Sequence, residues 1–302
     1  MRNTALLLYL LINLASYGQN TIRVIGHRGT RGTAPENTIA GFKKAMNDGA
    51  DGIEWDVVVN GEGKLVISHE PYFHSDFCLD PNGDAIANEK EYNIYKMTQA
   101  EIEAFDCGSK AHESFPEQEN FIARKPLLED AVAKLKSSIR GKLILFEIKS
   151  DASEYGISQP YPKDFVDLIL KEVALYRFPN VVYMSFDKNI IEDLHKKEPK
   201  LRVAYLTYLP SKSAKSYLND LTFVPHALGM YHKTLNRRKL KQLRAKGVVV
   251  YAWTVNQAKD AHKMMELGID AIITDYPKSI IKARGRYTDR PKKYRTTGTP
   301  SF

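Results

Sequence analysis

Apolar, β-branched runs recur along this chain at residues 22–26, 52–58, 142–149, 181–185, 202–207, 222–225, 248–253 and 271–274. They predict eight strands. Between most of them, apolar residues return at helical spacing. Residues 38–48 carry Ile39, Phe42, Ala45 and Met46 on one face, and residues 258–267 repeat the pattern through Ala261, Met264 and Met265. Glu36-Asn37-Thr38 is a polar opening for the first helix and Gly49 stops it, while Gly247 and Gly268 close later helices just before strands. Continuously apolar strands are buried on both faces, as in a parallel sheet covered by helices. The pattern therefore predicts an α/β fold, a (β/α)8 TIM barrel. A doubly wound open sheet is the alternative. No Gly-x-Gly-x-x-Gly loop follows the first strand, which argues against a dinucleotide fold.

The strand–helix rhythm breaks between His69 and Pro126, where Tyr, Phe, Asn, Asp, Pro and Gly accumulate. Connections this long in compact domains tend to be lids or binding elements. We expect residues from about 70 to 125 to be an insertion after strand 2, led into by a short hairpin arm over 61–68. The N-terminus differs again. Arg2 precedes an apolar run from Ala5 to Leu14, and small and polar residues follow at Ala15, Ser16 and Gly18. This is the pattern of a signal peptide, and the run is short for a membrane span. The expected organisation is a signal peptide over 1–18, a barrel domain over 19–285 and a basic tail over 286–302. The expected location is exported, periplasmic or secreted.

Composition refines this only in part. The chain has 302 residues, 43% hydrophobic, enough for a large core. The net charge is +8, but from Lys282 onward there are seven basic residues and one acid, so the body is close to neutral. The tail is expected to be a solvated, poorly ordered end, with weak contact to a membrane surface as its functional alternative. No nucleic-acid-binding motif is present, and no nucleic-acid partner is expected. Cys78 and Cys107 are the two cysteines, and an exported chain permits a disulfide between them.

Reacting groups in a barrel belong at the C-terminal ends of its strands. His27 and Arg28 directly follow the first strand. Glu54 and Asp56 alternate on the second and so share a face. His69 closes the arm, and Glu147 and Lys149 alternate at the end of the third strand. Three buried acids are costly unless compensated, and together they call for one hard divalent cation, Ca²⁺ or Mg²⁺. His27 and His69 suit proton transfer near neutral pH, and Arg28 and Lys149 suit a phosphate. Trp253 and Asn256 finish the seventh strand, and Trp253 is read as a wall for substrate. Asp275 before Tyr276-Pro277 is read as a turn residue with a structural role. His74, His112, His195, His226, His232 and His262 have no supporting pattern and are read as surface or packing residues.

Gly26-His27-Arg28-Gly29 followed by Ala34-Pro35-Glu36-Asn37-Thr38 resembles the signature of glycerophosphodiester phosphodiesterases. Glu54-x-Asp56, His69, Phe146-Glu147-Ile148-Lys149, Trp253-Thr254-Val255-Asn256 and Thr274-Asp275-Tyr276-Pro277 follow in that family's order. The resemblance covers residues from about 22 to 282. It implies a (β/α)8 barrel with an insertion after strand 2. It also implies metal ligation by Glu54, Asp56 and Glu147, acid/base work by His27 and His69, phosphate contact by Arg28 and Lys149, and support from Glu36 and Asn37.

The implied reaction is hydrolysis of a small-molecule glycerophosphodiester to glycerol 3-phosphate and an alcohol. A free substrate hydroxyl attacks first, and water then opens the cyclic phosphate. The alternative within the fold is a lysophospholipase-D-like reaction on lysolipids at a membrane surface. A non-catalytic binding module would require a missing catalytic group, and none is missing. One departure stands out. Many members follow the second histidine with Asp and then an Arg-Thr stretch, whereas this chain reads His69-Glu70-Pro71-Tyr72-Phe73-His74-Ser75. The difference leaves the core chemistry intact but puts the substrate-side wall in doubt.

Overall fold

A computed structural model describes residues 22–176 and 178–288. Its strands are β1 (Arg23–Gly26), β2 (Gly52–Val59), β3 (Leu65–Ile67), β4 (Leu143–Ile148), β5 (Val181–Ser185), β6 (Val203–Thr207), β7 (Ala227–Tyr231), β8 (Val249–Trp253) and β9 (Ala271–Thr274). Its helices are α1 (Ile39–Asn47), α2 (Gln99–Ile102), α3 (Leu128–Leu135), α4 (Pro162–Ala174), α5 (Lys188–Lys197), α6 (Ala214–Leu218), α7 (Arg237–Arg244), α8 (Ala258–Leu267) and α9 (Pro277–Thr288). All strands except β3 pair in parallel in the order β1-β2-β4-β5-β6-β7-β8-β9, and β9 returns to β1. This closes the expected TIM barrel. Strand β3 pairs antiparallel with β2, as the hairpin-arm reading anticipated.

Local chemistry explains the element ends. Thr38 caps α1 by accepting from Gly41 N at 3.0 Å. Gly268 ends α8 in the left-handed conformation that glycine tolerates best. One strand differs from expectation. Residues 222–225 are not a strand, and the sixth barrel strand is β7. Its mid-strand Gly229 weakens the apolar pattern, but the Leu206 side chain occupies the space where a Cβ would be.

Alternation divides each strand between two cores. Ile53, Trp55 and Val57 of β2 and Ile144, Phe146 and Ile148 of β4 pack outward against helices. Ile25, Leu143, Leu145, Val182, Met184, Tyr251, Ala271 and Ile273 fill the barrel interior. The inward parity continues into polar groups: Ile25 leads to His27, Leu145 to Glu147, Tyr251 to Trp253 and Ile273 to Asp275.

The segment between β3 and α3 forms a lobe with its own core, including Phe73, Phe77, Ile94, Ile102 and Phe105. Cys78 and Cys107 form a disulfide there. The first part of the basic C-terminal run, as far as Thr288, is helical. It lies in α9, where Arg284 pairs with Asp51 and also bonds the Ile22 carbonyl at 2.8 Å. The signal-peptide stretch and residues 289–302 lie outside the described residues. Among the described residues, no helix is long and apolar enough to cross a membrane.

Candidate active site

Register builds the centre. Asp56 of β2 sits beside Glu147 of β4, while Glu54 lies one inward position earlier on β2. Ligand atoms of Glu54, Asp56 and Glu147 all lie within 4.8 Å of one another, and all three residues are buried. Glu54 Oε1 and Asp56 Oδ1 are buried without a hydrogen-bond partner. Unpartnered carboxylate oxygens at this spacing fit a hard cation bound through oxygen. Burial, with Asp56 and Glu147 nearby, pushes the Glu54 carboxyl well above its ordinary value. Burial also raises Glu147, against the pull of Lys149. Asp56 is held low despite burial, because His69, Lys149 and Arg28 favour its charged form.

Cations frame this cluster. Lys149 Nζ lies 2.5 Å from Glu147 Oε1 and 3.7 Å from Asp56 Oδ1. Arg28 donates its backbone N–H to Glu54 Oε2 at 2.8 Å, and its guanidinium lies 3.4 Å from Asp56. Glu36 bridges Arg28 at 2.7 Å and Arg31 at 2.5 Å. Burial alone would raise Glu36, but these two guanidiniums bring it down to about 2. Asn37 donates Nδ2–H to Asp56 Oδ2 at 2.9 Å. Arg28 and Asn37 both have positive φ, 48° and 55°, and the Asn37 amide bonds the Arg28 carbonyl at 3.0 Å. A locked, strained turn thus aims both residues at the carboxylates.

Each candidate histidine is anchored through Nδ1. His27 Nδ1 lies 2.6 Å from Asp275 Oδ1, and Asp275 also accepts from Asn256 Nδ2 at 2.6 Å. Asp275 is held below its ordinary value, against burial, chiefly by His27. His69 Nδ1 contacts the Glu70 carboxylate. Burial, followed by Arg28 and Lys149, pushes the His69 imidazole well below its ordinary value. Trp253 stands at the end of β8 against Phe186 and Tyr231, with ring centres 5.4 and 5.6 Å away. Lys149 Nζ lies 5.8 Å from the Phe186 ring centre, so this aromatic wall adjoins the charged cluster.

The geometry adds roles that the sequence pattern did not reveal. Asp275 is a partner of His27 as well as a turn residue, and Asn256 orients Asp275. Glu70, Arg31 and Phe186 also belong to the centre. The strand-end positions of Asp275 and Asn256, and the place of Glu70 directly after His69, were the signals for these in the sequence.

The family model of glycerophosphoryl diester phosphodiesterases matches residues 27–279. The chain belongs to that family. It is an enzyme of the glycerophosphodiester phosphodiesterase class, a phosphoric diester hydrolase. A glycerophosphodiester phosphodiesterase from Caldanaerobacter subterraneus subsp. tengcongensis is 30% identical over 260 residues, which cover 85% of this chain and 96% of that protein. Another from Bacillus subtilis is 26% identical over 276 residues, covering 88% of this chain and 87% of the relative. Among solved structures, a provisionally assigned member from Silicibacter pomeroyi superposes with a TM-score of 0.80 at 27% identity, covering 88% of this chain and 94% of that one. An Oleispira antarctica phosphodiesterase in complex with the product sn-glycerol-3-phosphate gives 0.69 at 24% identity, covering 86% and 96% respectively, and so supports the fold.

Proposed function

We propose that this phosphodiesterase performs metal-dependent hydrolysis of glycerophosphodiesters to glycerol 3-phosphate and an alcohol, with His27 and His69 as its proton-transfer groups. The carrying observation is the convergence of three carboxylates within 4.8 Å, flanked by two cations and two Nδ1-anchored imidazoles. Glu54, Asp56 and Glu147 would hold Ca²⁺ or Mg²⁺, which when bound supplies charge neutralisation and polarises a phosphoryl oxygen. Arg28 and Lys149 hold the phosphate and oppose its developing charge. Glu36 and Asn37 keep Arg28 and Asp56 in place. Trp253 walls the substrate.

His69, kept neutral by burial and cations, takes the proton from the attacking substrate hydroxyl. His27, with Asp275 supporting an imidazolium, protonates the leaving oxygen. The roles reverse when water opens the cyclic phosphate. The leader pattern at residues 1–18 supports action outside the cytoplasm.

The test is turnover of glycerophosphocholine by purified protein. His27→Ala and His69→Ala should each lower kcat by about 10²- to 10⁴-fold while leaving the thermal melt in place. A chelator should abolish turnover, and Ca²⁺ or Mg²⁺ should restore it. Full activity in either folded variant would refute the histidine roles, and indifference to chelation the metal dependence.

A further inference from the structure

Lys125 closes the insertion, yet its side chain is buried, with the residue only 7% exposed. Removing an ammonium from water costs several kcal/mol by order of magnitude unless other groups replace its hydration. Here Nζ donates to Ser68 Oγ at 2.7 Å and lies 5.4 Å from the Phe73 ring centre. Burial lowers its proton affinity, and the Glu70 carboxylate is the leading opposing influence. A methionine would occupy similar space without a charge to desolvate, so packing alone does not call for lysine.

The hydrogen bonds indicate what this cation holds. The Ser68 hydroxyl gives its proton to the Glu70 carbonyl at 2.6 Å and keeps lone pairs for Lys125. Ser68 N donates to the Asp56 carbonyl at 3.1 Å. The Lys125 carbonyl accepts from Gln99 Nε2 at 3.2 Å, and the next carbonyl, of Pro126, accepts from Ile67 N at 2.9 Å. His69 is therefore carried in a strap, Ser68–Glu70, tied to β2 on one side and to the insertion on the other. Glu70 turns back onto His69 Nδ1.

We infer that Lys125 is a positioning residue for His69: its ammonium fixes Ser68, so that the Glu70 carboxylate and the His69 imidazole keep one arrangement against the carboxylate cluster. The role extends the motif chemistry into the insertion, where the resemblance identifies no participant. It rests on the reading of His69 as a proton-transfer group.

The experiment compares Lys125→Met, Ser68→Ala and the double variant by glycerophosphocholine kinetics, thermal melts and ¹⁵N NMR of the His69 ring. Each single change should lower kcat by about 10- to 100-fold, the scale of an ångström-sized misplacement, with KM within about twofold. The double variant should be no slower than the slower single one, because both changes cut the same link. The His69 ring signals should move or broaden in either single variant. Unchanged kcat, multiplicative losses or unchanged His69 signals in folded Lys125→Met would overturn the inference. If Lys125→Met does not fold, Ser68→Ala decides by the same kcat and NMR criteria. If wild-type protein has no turnover, the hydrolytic reading fails, while the ring signals still decide whether Lys125 positions His69.

Discussion

Asp275 illustrates how a side chain acquires its role only from its neighbour. Its carboxylate reaches His27 across 248 positions of sequence and takes a second hydrogen bond from Asn256. A carboxylate there favours a proton on His27 Nδ1 and supports the charged ring, whereas an amide does so poorly. We expect Asp275→Asn to lower kcat by about 10²- to 10⁴-fold with KM little changed, since tautomer control and imidazolium support are lost together. Steady-state kinetics alongside a thermal melt would check this, and wild-type kcat would exclude the role. The sequence marked His27, Arg28, Glu54, Asp56, Glu147 and Lys149 because each is a polar group at or near the end of an apolar strand. Asp275 resembled a turn residue before Tyr-Pro, because its partner His27 lies 248 positions away and the two form no local pattern.

Strands and connections place these residues. The two-residue period of β2 puts Glu54 and Asp56 inward once Ile53, Trp55 and Val57 face the helices, and the β2–β4 register then brings Asp56 beside Glu147. Periodicity predicted the first relationship, while the second required strand pairing. The same dependence explains β7, whose Gly229 makes sense only beside Leu206. The insertion carries a testable element of its own. Cys78 and Cys107 join segments 29 positions apart inside the lobe. Closing such a loop contributes about 2–4 kcal/mol. Reduction, or the Cys78→Ser/Cys107→Ser pair, should therefore open the lobe to limited proteolysis within about residues 70–125 while the barrel's circular dichroism persists. Unchanged protease resistance would show that the lobe's apolar core suffices without the bond.

For the whole molecule, the three carboxylates would couple folding to the binding of a cation. They come from β2 and β4, so a cation bound between them should stabilise the folded chain, by about 2.7 kcal/mol at a hundredfold excess over Kd. Burial and mutual repulsion raise Glu54, and burial raises Glu147, so at acid pH these groups hold protons that a cation must displace. Affinity then rises with pH as those protons leave. Calcium or magnesium should raise Tm more at pH 8 than at pH 5 in a melt series, and an equal gain at both would contradict the coupling.

The barrel class, the six motif residues around the centre and the position of the insertion were legible in sequence, because alternation and strand-end polarity are local and repeat along the chain. Pairing partners, the Asp275 anchor and the burial of Lys125 were not. They depend on which strands become neighbours and on how the insertion folds back over β2 and β3. Only the closing β1–β9 pairing brings His27 to Asp275, and only the β2–β4 pairing brings Asp56 to Glu147, because hydrogen bonds and charge compensation between distant segments form through space.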